Sequence, residues 1–176
     1  ISNNNGNDHS STSQHSFLQL ATYFCHARAS SSQWNRANKG LIPPNLQVVS
    51  ATRGKDAIGT GKIGGDVGIF KLEVVPTLQN SMKAMHGGAQ ATLVDTLTTT
   101  ILSAAQAHEQ FYDDLNNSGK KTKTIEFRDR GTVSLNIDYL SGGKPGKTVY
   151  ARACVDRAGG SLAFLSMTMY NIENDG

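Results

Sequence analysis

Between Gly87 and Ala107 apolar side chains recur every fourth residue, at Leu93, Leu97 and Ile101, with Val94 beside them. On both sides of this stretch the apolar period is two. A period near 3.6 lines one face of a helix, and a period of two lines one face of a strand. A chain patterned this way has to bury one long helix against strands. Upstream, Leu46–Ala51 is a short apolar run. In Val67–Val75, Phe70, Leu72 and Val74 alternate with Ile69, Lys71 and Glu73 until Pro76 ends the run. Downstream, three strands are predicted. In Gly131–Leu140, Val133, Leu135, Ile137 and Tyr139 face one way, and Thr132, Ser134, Asn136 and Asp138 face the other. Val149–Val155 and Ser161–Asn171 repeat the alternation around a turn at Arg157-Ala158-Gly159-Gly160. Strands, one central helix and then an antiparallel run of strands define an α+β class, with a single helix covering one face of an antiparallel sheet.

The rest of the chain reads as additions to this body. Residues 1–16 are rich in Asn and Ser and are expected to form a disordered tail, with His9 and His15 as solvated side chains. Residues 17–29 carry Phe17, Leu20, Phe24 and Ala27 at helical spacing. No acidic residue occurs between His9 and Lys55. An acid-free amphipathic segment with arginine and serine resembles a transit peptide, and an ordinary basic helix packed on the domain accounts for it equally. Ser-rich and Pro-Pro punctuation makes residues 30–45 a linker, so the division is a tail at 1–16, a helix and linker at 17–45 and a domain at 46–176. Residues 108–130 are polar and are expected to form a solvent loop around Asn-Asn-Ser-Gly-Lys-Lys.

Length and composition narrow the function. The 176 residues suit one domain, large enough to fold on its own core. Two cysteines without a Cys-x-x-Cys motif give no disulfide framework and no zinc signature. No run approaches the ~18 consecutive apolar residues of a membrane span. The surplus of 17 basic over 14 acidic side chains is too small to argue for nucleic acid. It is concentrated, however, between Lys120 and Arg157, where Lys144, Lys147, Arg152 and Arg157 contribute to a basic patch suited to a phosphate-bearing ligand.

Three motifs carry candidate chemistry. Gly59-Thr-Gly61-Lys-Ile-Gly64 matches a dinucleotide fingerprint, but it leads into a strand and not a helix, so a glycine-rich turn or bulge is expected. His86-Gly87-Gly88 opens the long helix. The first N–H groups of a helix lack internal partners and sit at the positive end of its dipole, and glycine lets a ligand approach them. This makes a donor site for a polarised carbonyl, with a plain helix cap as the alternative for His86. Asp95 is the lone charge in Ala91-Thr-Leu-Val-Asp-Thr-Leu-Thr-Thr-Thr100. Partial desolvation among Thr, Leu and Ala would suit it to act as a base, and a solvent-facing aspartate is the alternative.

The run Asn80-Ser-Met-Lys-Ala-Met-His86-Gly87-Gly88-Ala-Gln-Ala-Thr-Leu-Val-Asp95 resembles the signature of hotdog-fold acyl-CoA thioesterases, in particular the phenylacetate-degradation and acyl-CoA thioesterase 13 branch. Gly131-Thr-Val-Ser-Leu-Asn-Ile-Asp-Tyr139 and Gly159-Gly-Ser-Leu-Ala-Phe164 look like strands of the same family. The resemblance implies a long helix wrapped by an antiparallel sheet. It also implies hydrolysis of an acyl-CoA thioester to free acid and CoA, in lipid metabolism, without a metal or redox cofactor. By the same resemblance Gly87 offers its N–H to the thioester carbonyl, and Asn80 helps position the carbonyl or the water. Asp95 is base or nucleophile, Thr132 holds the attacking water, and His86 shapes the pocket. Gly88, Lys144 and Arg157 join His86 on the side of substrate binding. A non-catalytic acyl-CoA-binding protein and a hotdog dehydratase are the competing readings. The former has no need of Asp95 and the latter would use an Asp/His pairing. A homodimer or homotetramer, with no nucleic acid and no membrane span, in cytoplasm or mitochondrion, completes the expectation.

Overall fold

The computed structural model describes residues 9–30, 43–55, 62–116, 131–159 and 161–171. Helix α1 (His9–Ser30) is followed by strands β1 (Gln47–Thr52) and β2 (Asp66–Glu73) and a short 3-10 turn at Pro76–Leu78. Helix α2 (Gly87–Asn116) and strands β3 (Thr148–Ala158) and β4 (Ala163–Asn171) complete the order. The four strands form one antiparallel sheet in the order β1-β2-β3-β4. The helix-on-sheet architecture expected from the two periodicities is what the chain adopts.

Register explains which face meets the helix. Gly68, Phe70 and Leu72 of β2 stand opposite Ala153, Ala151 and Val149 of β3, and these face inward. Ala89, Leu93, Leu97, Ile101 and Ala105 of α2 are fully buried against them. Residues at this spacing share one side of a helix, so a single stripe seals the sheet. Gly68 sets the distance of closest approach. A Cβ there would stand 2.2 Å from Cδ1 of Ile101 and 2.6 Å from its Cγ1, so the missing side chain is the room that Ile101 occupies.

Helix α1 packs against both α2 and β1. Phe17, Ala21 and Cys25 form a buried stripe one helical turn apart, and Arg28 Nη2 donates to Ser103 Oγ at 3.1 Å. Residues 17–29 are a helix packed on the domain. Covered by the sheet and α1, α2 buries Thr96, Thr98, Thr100, Ser103, His108 and Glu109 as well as its apolar stripe. Thr98 and Thr100 tolerate this because their hydroxyls bond carbonyls of their own helix, as does that of the neighbouring Thr99, whereas the buried Thr96 hydroxyl makes no such bond. Thr98 reaches Val94 at 2.8 Å, Thr99 reaches Asp95 at 2.6 Å and Thr100 reaches Thr96 at 2.8 Å.

A buried ionic cluster joins these layers. Arg53, just past β1, places Nη1 2.7 Å from Oδ1 of Asp66, at the start of β2, and Nη2 against Oε1 of Glu109 on α2. The N–H groups of Gly54 and Gly64 donate to the two Asp66 oxygens at 3.0 and 3.1 Å. Gly64 is the described end of the glycine-rich motif, and it leads into a strand as expected. The Arg53 guanidinium lies 5.6 Å from the ring centroid of Phe17, whose edge meets His108 at 5.8 Å. Four elements thus converge on one cation.

Three expectations give way. Residues 9–16, expected as part of a tail, are helical, so α1 starts well before Phe17. Helix α2 runs to Asn116, into the stretch expected as a loop. His108 and Glu109 are buried there, because they pack against Phe17 and pair with Arg53 instead of water. Gly131–Leu140 belongs to no strand of the sheet, and its side chains are largely exposed, Val133 at 85% and Leu140 at 95%. Alternation marks a segment able to pair, and among the described residues this one has no neighbouring strand. The tail at 1–8, most of the linker and the loop beyond Asn116 lie outside the described residues.

Candidate active site

The loop before α2 is built around Asn80. Its Oδ1 accepts the N–H groups of Met82 at 3.0 Å and Ala84 at 3.1 Å, and its own N–H donates to Ala84 O at 2.8 Å. An asparagine that folds the backbone back on itself this way is a turn former. The turn is tight enough to hold Lys83 at φ 62°, in the left-handed region. With its oxygen committed to the turn, Asn80 has its Nδ2 hydrogens left to offer a ligand. Met85 then donates to Gly143 O at 3.0 Å and His86 to Leu78 O at 2.7 Å, which anchors the start of α2 to the 3-10 turn and to the segment before β3.

His86 caps the helix. Its Nδ1 accepts the Gly88 N–H at 2.9 Å, the bond that an N-cap side chain makes to one of the orphan donors of the first turn. The cap alternative for His86 is therefore realised, on an exposed side chain at the mouth of the site. The Gly87 N–H has no partner from the helix itself, as the terminus requires. Above Gly87 lies Tyr139. Its hydroxyl donates to Gly87 O at 3.2 Å, and its ring would stand 3.4 Å from a Cβ at position 87.

Farther along α2, Asp95 is half-buried. The Thr132 hydroxyl donates to its Oδ1. The structure thus sorts the candidate residues into two groups. Asn80, His86, Gly87 and Gly88 share the helix start with Tyr139, and Asp95 pairs with Thr132. At a rise of about 1.5 Å per residue, Gly87 and Asp95 lie about 12 Å apart along the axis. The segment 131–140 touches both groups, with Thr132 at one end and Tyr139 at the other. A strict alternation assigns these two residues to opposite faces, yet both reach α2.

The basic residues divide as well. Lys144 follows Gly143 in the turn that Lys147 N closes onto Lys144 O at 3.2 Å, beside the start of α2. Arg157 sits at the opposite end of β3, opposite Phe164 of β4. Some nine strand residues separate them, about 30 Å of extended chain. Within one chain they do not converge on one anion. Among the described residues no group of three or more His, Cys, Asp or Glu side chains is placed to hold a metal ion, and no helix is long and apolar enough to cross a membrane.

Tyr139 is the site residue that sequence patterning missed. Its alternation with Ile137 and Leu135 marks it as a packing residue, and only the fold brings its hydroxyl to Gly87.

Comparison with known proteins places this geometry. No curated protein matches the chain by sequence. Among solved structures, zebra fish thioesterase superfamily member 2 superposes with a TM-score of 0.58 at 23% identity, over 89% of this chain and 88% of that one. The PaaI protein of the E. coli phenylacetic acid degradation operon superposes with a TM-score of 0.50 at 18% identity, over 92% and 88%. The smu.793 protein of Streptococcus mutans, solved bound to acetyl CoA, gives a TM-score of 0.50 at 22% identity, over 74% and 78%. At these identities the likeness is one of fold, a hotdog arrangement of one long helix on an antiparallel sheet. The family model of the thioesterase superfamily matches residues 82–175, a span that holds His86, Gly87, Asp95, Thr132 and Tyr139. With more than half of its length matched, the chain belongs to the thioesterase superfamily.

Proposed function

We propose that this protein is an acyl-CoA thioesterase, hydrolysing an acyl-CoA thioester to a free acid and CoA. The observation that carries the reading is the pairing of Asp95 with the Thr132 hydroxyl. A carboxylate with a hydroxyl held against it can share one water molecule between them. Thr132 donates to Oδ1, and its oxygen keeps lone pairs that accept from the water. Asp95 Oδ2 is then available to take the water's proton as general base. The hydroxide equivalent adds to the thioester carbon, and the charge that develops on the carbonyl oxygen is met by the Gly87 N–H at the positive end of α2. Collapse of the tetrahedral adduct breaks the C–S bond. The departing CoA sulfur takes the proton back from Asp95. Asn80 Nδ2 is the second donor available to the carbonyl, and Lys144, beside the helix start, favours the phosphates of CoA. A protein that merely bound acyl-CoA would have no use for the Asp95–Thr132 pair. The reading is tested by release of free CoA from acetyl-, octanoyl-, palmitoyl- and phenylacetyl-CoA. Turnover of at least one is expected, and no release from any member of the panel contradicts hydrolysis.

The reaction centre is shared between two copies of the chain. The two groups of residues are about 12 Å apart on one helix, too far to act on one carbon. A two-fold dimer with antiparallel α2 helices brings Gly87 of one copy to Asp95 of the other, twice. The exposed apolar side chains of Gly131–Leu140, an unpaired segment beside both groups, support pairing between copies. The test mixes two inactive variants. Gly87→Pro removes the donor N–H at a position where proline is tolerated, and Asp95→Ala removes the base. A mixed dimer holds one site with both defects and one with neither, so about a quarter of all sites should recover after random exchange. Activity that stays at the level of the unmixed variants, with exchange confirmed by native mass spectrometry, sinks the shared site.

A further inference from the structure

The Gly87–Gly88 peptide unit is held at both of its ends by side chains from different parts of the chain. Its carbonyl, on Gly87, accepts from Tyr139 Oη at 3.2 Å. Its N–H, on Gly88, donates to His86 Nδ1 at 2.9 Å. The same two side chains border the positions that side chains at 87 and 88 would take. A Cβ on Gly87 would meet the Tyr139 ring at 3.4 to 3.8 Å. A Cβ on Gly88 would meet His86 Nδ1 at 3.0 Å and Cε1 at 3.2 Å. Neither glycine has a positive φ. Their missing side chains therefore answer no demand of the backbone conformation; at Gly88 the absence makes room for His86, and at Gly87 it leaves the Tyr139 ring within van der Waals reach of the backbone.

A pair of glycines opening a helix is the least restrained backbone the helix could begin with. The Gly87 N–H belongs to the preceding peptide unit, joined to the clamped one through two dihedral angles at Gly87. If the Gly87–Gly88 plane swings, so does the donor. A preorganised donor acts in proportion to how well it is already aimed.

We propose that Tyr139 and His86 form a positioning clamp that fixes the Gly87–Gly88 peptide and so aims the Gly87 N–H. The proposal deepens the thioesterase reading by naming what orients its carbonyl-binding donor, and it rests on that reading for what the donor serves. The clamp requires an Nδ1 lone pair on His86, which puts the imidazole proton on Nε2. It also links the two groups of the site, because the segment carrying Tyr139 also carries Thr132. Both bonds are solvent-exposed. Each is thus worth little to the stability of the whole chain, and their effect is on local orientation.

The test uses the full chain with Tyr139→Phe, which keeps the ring and removes the donor. Gly88→Ala displaces His86 from the other side. Two quantities are read: amide hydrogen exchange at Gly88 by NMR, and kcat against KM on the acyl-CoA that the parent hydrolyses best. Tyr139→Phe is expected to speed exchange at Gly88 about three- to tenfold, the range that one net hydrogen bond controls. Amides in the middle of α2 should keep their parental rates. kcat should fall by a similar factor with KM within about twofold, the signature of an interaction made in the transition state. Gly88→Ala should move both readouts in the same direction. Parental exchange at Gly88 in Tyr139→Phe overturns the clamp, and so does faster exchange with a parental kcat. If the parent releases no CoA, the thioesterase reading falls by itself, and the exchange comparison still decides whether the clamp exists.

Discussion

Replacing Asp95 by asparagine is expected to lower acyl-CoA turnover by about 10²–10⁴-fold, the usual worth of a general base. The substitution keeps the size and an oxygen for the Thr132 hydroxyl, so the contact between them survives. What it removes is the group that takes the water's proton. KM and the unfolding midpoint should stay near parental values, because Asp95 is half-buried and outside the apolar core. Thr132→Ala should cost less than Asp95→Asn, because it misplaces the water without removing the base. A purified Asp95→Asn protein that hydrolyses acyl-CoA at the parental rate would require a different base, and the pairing with Thr132 would then lose its catalytic meaning.

The largest effect on stability is expected at Arg53. Its guanidinium stands between the buried carboxylates of Asp66 and Glu109. Arg53→Met keeps much of the stem and removes the charge that both carboxylates bond. Breaking a buried pair in this way costs about 3–5 kcal/mol, a large part of the roughly 5–15 kcal/mol that holds a domain folded. With a urea slope of about 2 kcal/mol/M, the midpoint should drop by about 1.5–2.5 M. The loss should also depend on pH. Burial holds the Asp66 carboxyl above the ordinary aspartate value. It outweighs the Gly54 N–H, the Arg53 charge and the Gly64 N–H, which pull it down, and the Glu109 charge adds to the rise. A raised folded value makes the contribution of this group fullest below the unfolded value of about 3.9 and loses it as pH rises through the folded value. Without Arg53 one of the opposing pulls is gone. The deficit of Arg53→Met against the parent should therefore be smaller near pH 4 than at pH 8. Equal deficits at both would show that Asp66 does not titrate with the cluster.

How far this was legible in the sequence depends on the range of the forces involved. The stripe at Leu93, Leu97 and Ile101 and the alternation in β2, β3 and β4 are local patterns set by burial, and they located the helix and these strands. The family signature pointed to Asp95 and Thr132, far apart in sequence and in contact in the fold. Three features stayed hidden for physical reasons. Arg53, Asp66 and Glu109 look like solvent-facing charges, because only tertiary packing joins the end of β1 to the far half of α2. The turn of α2 around His108 and Glu109 looks like a loop, because its polar residues are buried only by packing into that same cluster. Gly131–Leu140 has the alternation of a sheet strand, but alternation records a capacity to pair and does not supply the neighbour.

Helix α1 carries a consequence for the chemistry of a thiol far from the site. Cys25 is a free cysteine buried between α1 and the body of the domain. Burial pushes its pKa up to about 11, against the opposing charge of Arg28. At pH 8 only about one thiol in a thousand is then ionised, and reaction with an alkylating reagent needs both ionisation and access. Once α1 lifts away, the thiol returns to an ordinary value of about 8.5 and becomes reactive on both counts. Covalent labelling of Cys25 thus counts the moments at which α1 undocks, as amide exchange counts local openings. Cys154, the other free thiol, lies within β3. The chain thus carries a chemical clock on its outer helix.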